Sequence, residues 1–212
     1  MFLNYHDIKY RNTEFYRNLS QDGFINTAQR AWEFEELIKI YEKLAPSRVL
    51  EIGSWYGGTL HEWIRRIQPN GVIVNIDNML DVPEGVREET LQRWISWTPP
   101  SVTYHPLIGD STDSKICQQA HDLLGGKIDF LFIAGDHSYQ GVKSDFNMYG
   151  PLVRKGGVIA LHDITKLTAG NATTPVTGLA VLQLWRDIQE AGYVTQELRI
   201  NLNTCGIGVV YV

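Results

Sequence analysis

The sequence contains few cysteines, no excess of basic residues and no long apolar run. Its two cysteines, Cys117 and Cys205, have no metal-ligand spacing and suit a reducing compartment. A net charge of −5, with no basic stripe, argues against a nucleic-acid surface. No apolar run approaches the roughly 18 residues of a membrane span, and residues 1–7 lack a signal-peptide pattern. We therefore expect a cytoplasmic protein that binds neither nucleic acid nor membrane.

A glycine-rich stretch at residues 49–59 also lacks one part of a known fingerprint. Trp55 stands where the dinucleotide pattern G-x-G-x-x-G requires its second glycine. Gly53 allows a sharp turn after an apolar strand, and Gly57 and Gly58 free the start of a helix for a ligand. The pattern predicts a strand, a turn and a helix that hold a nucleotide-like ligand. The candidate ligand-binding residues of this stretch are Glu51, Gly53, Ser54, Gly57, Gly58 and Thr59.

Apolar runs and helical periodicities alternate along the chain. We predict strands at 48–52, 71–77, 102–108, 128–133, 158–161, 193–200 and 207–212. Helices are predicted at 27–44 with an N-cap at Asn26, and at 59–68, 84–97, 114–124, 141–152 and 178–191. This order predicts an α/β protein with a Rossmann-like, doubly wound sheet that is mostly parallel and ends in an antiparallel hairpin.

The length fits one domain, which we place at residues 26–212. Residues 1–25 carry scattered aromatic residues without a clear period. We interpret them as an N-terminal arm over the ligand cleft or over a partner subunit, with a plain packed extension as the alternative. Residues 165–178 are rich in Thr, Gly and Asn and are predicted to form a long loop of the kind that serves as a lid. Whether the protein forms a homo-oligomer stays open.

Each predicted parallel strand ends in small, polar or acidic residues. They are Glu51 and Gly53, Asp77 and Asn78, Asp110 and Ser111, Asp136 and His137, and His162 and Asp163. The carboxyl ends of parallel strands share one edge of the sheet, where open α/β folds bind ligands. Asp77 lies where an acid commonly binds ribose hydroxyls. One acid at a strand end is usually a cap, but this convergence predicts a ligand site.

The same segments, in the same order, resemble a known family. The matching segments are residues 49–53, Asp77, 109–111, 129–133, 135–139 and 155–163. Together they resemble the class I S-adenosylmethionine-dependent methyltransferases over roughly residues 45–165. More narrowly, they are similar to the small O-methyltransferase branch that includes macrocin-type and cephalosporin hydroxylase-like proteins. The resemblance implies methylation of a small hydroxylated substrate such as a sugar, a phenol or a polyketide.

The resemblance also implies roles for the strand-end residues. Glu51 and Gly53 would contact the methionine part of S-adenosylmethionine, Asp77 the ribose hydroxyls, and Asp110 and Ser111 the adenine. Asn78 and Asp136 join these residues as candidate cofactor contacts.

A divalent cation is a second implication of the resemblance, held by an acid after strand four and an acidic pair after strand five. In this sequence Ala134 and His162 replace two of those acids, and Asp163 keeps the third. Mg²⁺ prefers several oxygen ligands, which puts this site in doubt. Asp136, His162 and Asp163 could still hold a softer metal such as Zn²⁺ or Mn²⁺. Whether a metal binds stays open.

His137 falls where related sugar methyltransferases carry a catalytic histidine. The resemblance therefore implies that His137 is a general base, and Asp163 is the second catalytic candidate. A helix cap or an adenine contact remains the alternative for His137.

Two other functions stay open beside methyl transfer. A nicotinamide-dependent oxidoreductase would share the turn and Asp77, although Trp55 and the terminal hairpin count against it. A non-catalytic cofactor-binding protein of the same fold is favoured by Ala134.

Overall fold

The computed structural model describes residues 29, 31–165, 178–199 and 205–212. The predicted arm at 1–25, the N-cap at Asn26 and most of the predicted lid at 165–178 lie outside these residues. Within the described ranges, no helix is both long enough and apolar enough to cross a membrane.

Seven strands and six α-helices alternate through the described residues. The strands are β1 (Arg48–Ile52), β2 (Val72–Asp77), β3 (Thr103–Ile108), β4 (Ile128–Ile133), β5 (Val153–His162), β6 (Val194–Leu198) and β7 (Ile207–Tyr211). The helices are α1 (Ala31–Leu44), α2 (Gly58–Arg66), α3 (Arg87–Ser96), α4 (Ser114–Leu124), α5 (Tyr139–Tyr149) and α6 (Gly178–Glu190). Short 3₁₀ turns at Glu84–Val86 and Gly150–Leu152 precede α3 and follow α5.

The strands form one sheet in the order β3-β2-β1-β4-β5-β7-β6. The pairs from β3 to β5 are parallel, whereas β7 runs antiparallel to both β5 and β6. The carboxyl ends of β1 to β5 therefore meet at one edge. The strand order reverses between β1 and β4, so the topological switch point lies at the centre of this edge. This arrangement confirms the predicted fold class and the antiparallel terminal pair.

Helices cover both faces of the sheet. Successive strand residues point to opposite faces, so neighbouring residues of one strand pack against different helices. Phe130 and Phe132 pack with α1, α2 and α3, while Leu131 and Ile133 pack with α4, α5 and α6. On the first face, Trp63 lies at the centre of an aromatic cluster, with its ring stacked 4.8 Å from that of Tyr41. Burial on both faces explains why β4 is apolar at every position except Asp129 rather than alternating.

The start of β5 differs from the prediction. The strand begins at Val153, and the expected turn at 155–157 is an irregularity inside it. The pairing with β4 passes from Ile128↔Val153 to Phe130↔Val158. Gly156 has φ +75, and its N–H donates to the Val212 carbonyl at 2.6 Å. The glycines therefore form a bulge that the hydrogen bond to Val212 stabilises, and the strand continues through it.

Candidate functional site

A cavity of about 400 Å³ opens at the carboxyl ends of β1, β2, β3 and β4. Four carboxylates line it, and no basic residue is among the described residues that do. They are those of Asp77, Asp81, Asp110 and Asp136. Ile52, Ile76 and Leu80 add apolar surface to the same walls. The cavity therefore suits a ligand with a positive charge and a flat apolar part.

The turn after β1 is fixed by the end of the neighbouring strand. Asp77 Oδ2 accepts the backbone N–H groups of Ser54 and Trp55 at 2.6 and 2.9 Å, and its Oδ1 accepts that of Met79 at 2.6 Å. Trp55 has φ +52, a left-handed conformation that is uncommon for a bulky residue. The Asp77 carboxylate thus stabilises a strained turn as well as lining the cavity.

Gly53 allows β1 to approach β4 closely. It has φ +83, and a Cβ built on it would lie 2.3 Å from the Ala134 carbonyl oxygen. A side chain here would overlap the backbone that follows β4. The glycine is therefore required by close packing at the switch point between β1 and β4, beside the cavity.

Glu51 is fully buried behind this turn rather than in the cavity lining. The Ser54 hydroxyl donates to its Oε2 at 3.2 Å, and the Thr59 hydroxyl donates to its Oε1. Burial raises the pKa of Glu51 to about 8. The side chain is therefore mostly neutral at pH 7, so it adds little negative charge to the site.

Two further residues extend this buried network to the edge of the sheet. Asn75 Nδ2 donates to the Ser54 hydroxyl oxygen at 3.1 Å, and the Tyr104 hydroxyl donates to Asn75 Oδ1 at 2.6 Å. Burial raises the pKa of Tyr104, and the charges of Glu51, once it ionises at high pH, and of Asp77 raise it further. The network links β3, β2, β1 and α2, and it stabilises the turn through the hydroxyl of Ser54.

Gly57 lies against two tryptophan side chains, Trp94 of α3 and Trp97 just after it. Its φ is +87, and a Cβ on it would lie 2.3 Å from Trp94 Nε1 and 2.8 Å from the Trp97 ring. The absent side chain therefore makes room for Trp94 and Trp97. Gly57 and its neighbour Gly58 are not among the described residues that line the cavity, so ligand approach to the start of this helix remains a prediction.

Helix α5 holds the loop after β3. The Tyr149 hydroxyl donates to the Ser111 carbonyl at 2.7 Å. Asp145, also on α5, is fully buried, and burial raises its pKa to about 6, with a smaller upward contribution from the charges of Asp136 and Asp110. The exposed Asp110 accepts from the Thr112 hydroxyl and N–H at 2.7 and 2.8 Å, and these bonds lower its pKa. The loop therefore presents Asp110 and Ser111 to the cavity on a rigid support.

Asp136 closes the cavity at the end of β4. Its Oδ1 accepts the Ser138 N–H at 2.8 Å, and its Oδ2 accepts the Ser138 hydroxyl at 2.7 Å. Ser138 in turn caps α5, because its hydroxyl accepts the Gly141 N–H at 3.0 Å. Asp136 therefore lines the cavity, and its carboxylate also holds the residue that caps α5.

The next residue, His137, belongs to a second cluster at the ends of β4 and β5. Its Nδ1 lies 3.3 Å from Asp163 Oδ2, and His162 Nε2 lies 3.2 Å from Asp163 Oδ1. Asp163 and His162 are buried, whereas the His137 side chain is 26% exposed. Asp163 has φ +63, and each of its carboxylate oxygens faces one of the two rings. The cluster thus combines one accessible imidazole with a buried carboxylate.

The implied Mg²⁺ site does not fit these residues. Ala134 supplies no side-chain oxygen, and both Asp136 oxygens accept bonds from Ser138. Among the described residues, the three metal-ligating side chains that come together are His137, His162 and Asp163, not the predicted set with Asp136. Two of those three donors are nitrogens, whereas Mg²⁺ requires oxygens in octahedral geometry.

The cavity contains about half of the predicted cofactor-binding residues. Those that line it are Gly53, Asp77, Asn78, Asp110, Ser111 and Asp136. Those that do not line it are Glu51, Ser54, Gly57, Gly58 and Thr59. Ligand contact by either group remains a prediction. Sequence reasoning missed Leu80 and Asp81, and their position three and four residues after the acid that ends β2 was the signal that could have found them.

The comparisons with known proteins agree with this geometry. A family model described as a methyltransferase domain matches residues 50–164, which run from within β1 to just past β5. The chain belongs to this family of methyltransferase domains. The narrower macrocin-type branch remains a prediction.

Solved structures share the fold at low sequence identity. An O-methyltransferase from Bacillus cereus in complex with SAH has a TM-score of 0.62 at 16% identity, covering 100% of this chain and 93% of that chain. TomG from Streptomyces achromogenes, an O-methyltransferase involved in tomaymycin synthesis and in complex with SAM, has a TM-score of 0.62 at 14% identity, covering 100% and 91%. MycE, a methyltransferase of the mycinamycin biosynthetic pathway in complex with Mg, SAH and mycinamycin VI, has a TM-score of 0.60 at 19% identity, covering 95% and 55%.

A curated relative matches over a shorter stretch. Uncharacterized protein R132 of Acanthamoeba polyphaga mimivirus is 42% identical over 72 residues, which are 34% of this chain and 31% of that protein. The match thus spans about a third of the relative's length.

Proposed function

We propose that this protein transfers a methyl group from S-adenosylmethionine to a hydroxyl oxygen of a small molecule. The observation that carries the proposal is the position of the acid-lined cavity, which extends from the Asp77 turn to Asp136, directly before His137. Membership of the methyltransferase-domain family supports it. SAM and SAH in neighbours of the same fold add further support.

The carboxylate of Asp77 retains capacity for a ribose. Its two oxygens offer about four acceptor positions, and three backbone N–H groups occupy three of them. A ribose hydroxyl can therefore donate to this carboxylate without breaking the turn. The apolar walls formed by Ile52, Ile76 and Leu80 suit the purine, with Asp110 and Ser111 at its edge.

The sulfonium group is favoured by the charge of the cavity. The carboxylates of Asp77, Asp81, Asp110 and Asp136 surround the space, and Coulomb attraction to a positive sulfur is strongest where water is excluded. S-adenosylhomocysteine lacks that charge, so release of the product is favoured over release of the substrate.

His137 is the group in position to take the proton of the acceptor. Asp163 Oδ2 faces its Nδ1 at 3.3 Å, so the neutral ring keeps its proton on Nδ1 and leaves Nε2 free to accept. In the step, the hydroxyl oxygen forms a bond to the methyl carbon and the carbon–sulfur bond breaks. The hydroxyl proton passes to His137 Nε2, and the bond electrons return to sulfur as S-adenosylhomocysteine leaves.

The test begins with the purified protein, which is denatured and searched by mass spectrometry for a bound adenosyl compound. Calorimetry then compares S-adenosylhomocysteine with NAD, and turnover is measured with a panel of sugars, phenols and polyketides. Binding of the adenosyl ligand with transfer to at least one hydroxyl supports the proposal. Tight binding of NAD alone would favour the oxidoreductase, and cofactor binding without turnover on any acceptor would favour the non-catalytic protein.

A further inference from the structure

The cluster beyond the cofactor cavity brings two imidazole nitrogens and a carboxylate to one point. The ligand atoms of His137, His162 and Asp163 all lie within 4.8 Å of one another. A single ion bound at about 2.0–2.2 Å holds its ligands within roughly 4.4 Å of each other. Small rotations of these side chains therefore suffice to place all three donors around one metal.

Neighbouring strands build this cluster from residues distant in sequence. Strands β4 and β5 pair in parallel with Ile133 opposite Leu161, so the residues that follow each strand lie side by side. His162 ends β5 and is 5% exposed. Asp163 follows it in a left-handed conformation, which is uncommon for a residue other than glycine. Such a backbone costs energy, and here it directs the carboxylate between the two histidines.

The donor set determines which ion fits. We propose that His137, His162 and Asp163 bind a divalent transition metal such as Zn²⁺ or Co²⁺ and discriminate against Mg²⁺. Imidazole nitrogens with one carboxylate suit these borderline cations, and the fourth position is open to water or to a ligand. At Ala134, where the resemblance implies an acid, the side chain has no oxygen to add to this set.

Metal binding and the proposed general base exclude each other. The metal takes the place of the hydrogen bond between His137 Nδ1 and Asp163 Oδ2. The proton of the neutral ring then moves to Nε2, so the imidazole can no longer accept one from a hydroxyl. We therefore expect Zn²⁺ to inhibit methyl transfer. This inhibition rests on the proposed function, whereas the metal site itself does not.

The direct test follows Co²⁺ by its visible absorption in protein stripped with a chelator, without cofactor or acceptor. Wild type should bind one Co²⁺, release it to Zn²⁺, and retain it in millimolar Mg²⁺. His162→Gln and Asp163→Asn should each weaken Co²⁺ binding by at least about 10-fold. Asparagine tolerates the left-handed backbone at position 163, and thermal unfolding checks that both variants fold.

His121→Gln is the matched control. His121 also lies beside an acid, with its Nδ1 3.7 Å from Asp122 Oδ1, but on the exposed surface of α4. This variant should bind Co²⁺ like wild type. Displacement of Co²⁺ by Mg²⁺ at a similar concentration would overturn the inference, as would wild-type affinity in both site variants. If the site variants lose Co²⁺ but Zn²⁺ leaves wild-type turnover intact, the metal site stands and the assignment of His137 as base fails.

Discussion

The Ser54 backbone N–H donates to the Asp77 carboxylate at 2.6 Å, so the end of β2 fixes the turn that leaves β1. The same carboxylate lines the cavity. One side chain therefore shapes the binding surface and contributes to it, which gives Asp77 two measurable effects.

Replacing Asp77 with Asn should weaken S-adenosylhomocysteine binding by about 10- to 100-fold, the equivalent of one hydrogen bond to a charged group. It should also lower the unfolding temperature, because the amide cannot accept all three N–H groups of the turn. Calorimetry and thermal unfolding measure the two effects. Asp81→Asn is the matched control, since it removes the same charge from the same cavity. Equal losses in the two variants would mean that only the charge matters.

Gly53→Ala should destabilise the protein by about 2 kcal/mol or more. The alanine would be strained by its left-handed backbone, and its Cβ would also overlap neighbouring atoms. Its Cβ would meet the Ala134 carbonyl oxygen at 2.3 Å. Gly125→Ala provides the control, because Gly125 at the end of α4 has φ +62 and nothing within 4 Å of its Cβ position. It should show only the backbone strain, about 1–2 kcal/mol. Urea denaturation measures the free energy of unfolding of both variants. If both lose the same amount relative to wild type, the overlap at Gly53 contributes nothing.

The buried Glu51 should make the protein less stable as the pH rises. Its pKa is raised from 4.5 to about 8, so the folded state holds a proton that the unfolded chain has already released. The free energy of unfolding therefore falls as the pH increases from the lower value to the higher one. Asp145 acts in the same direction but only between its ordinary 3.8 and about 6.

Between about pH 6.5 and 8.5, the contribution of Glu51 to the pH dependence of stability can be measured apart from that of Asp145. Over this range the unfolding temperature of wild type should drop, and that of Glu51→Gln should drop less. Glu89→Gln, at an exposed position on α3, should retain the full wild-type drop. Parallel curves for wild type and Glu51→Gln would show that Glu51 ionises normally in the folded state.

Short-range patterns in the sequence were sufficient for most of the fold. The apolar run of β4, the strand–turn–helix around Gly53 and the acids at the strand ends all depend on neighbours in the chain. Since parallel strands end at one edge, Asp77, Asp110 and Asp136 could be placed together without any coordinates.

The remaining features depend on contacts between distant segments. That Gly57 packs against Trp94 follows only from the position of α3, and the neutral state of Glu51 follows only from its complete burial. His162 could be named as a candidate from its place after a strand. That its imidazole shares the Asp163 carboxylate with His137 depends on the pairing of β4 with β5, and no sequence pattern indicated the left-handed backbone at position 163.

His137→Ala tests the proposed base directly. An aliphatic hydroxyl is too weak an acid to lose its proton unaided, and general-base assistance contributes roughly 10²–10⁴-fold in rate. The variant should lose about that factor in turnover, while S-adenosylhomocysteine binding stays close to wild type because His137 does not line the cavity. His121→Ala, on the exposed surface of α4, should change neither quantity. Asp163→Asn should lower turnover less than His137→Ala does, because the imidazole remains but loses its orienting carboxylate. If His137→Ala instead keeps its turnover and loses cofactor affinity, His137 is a cofactor contact, and the base must be sought at His162 or Asp163.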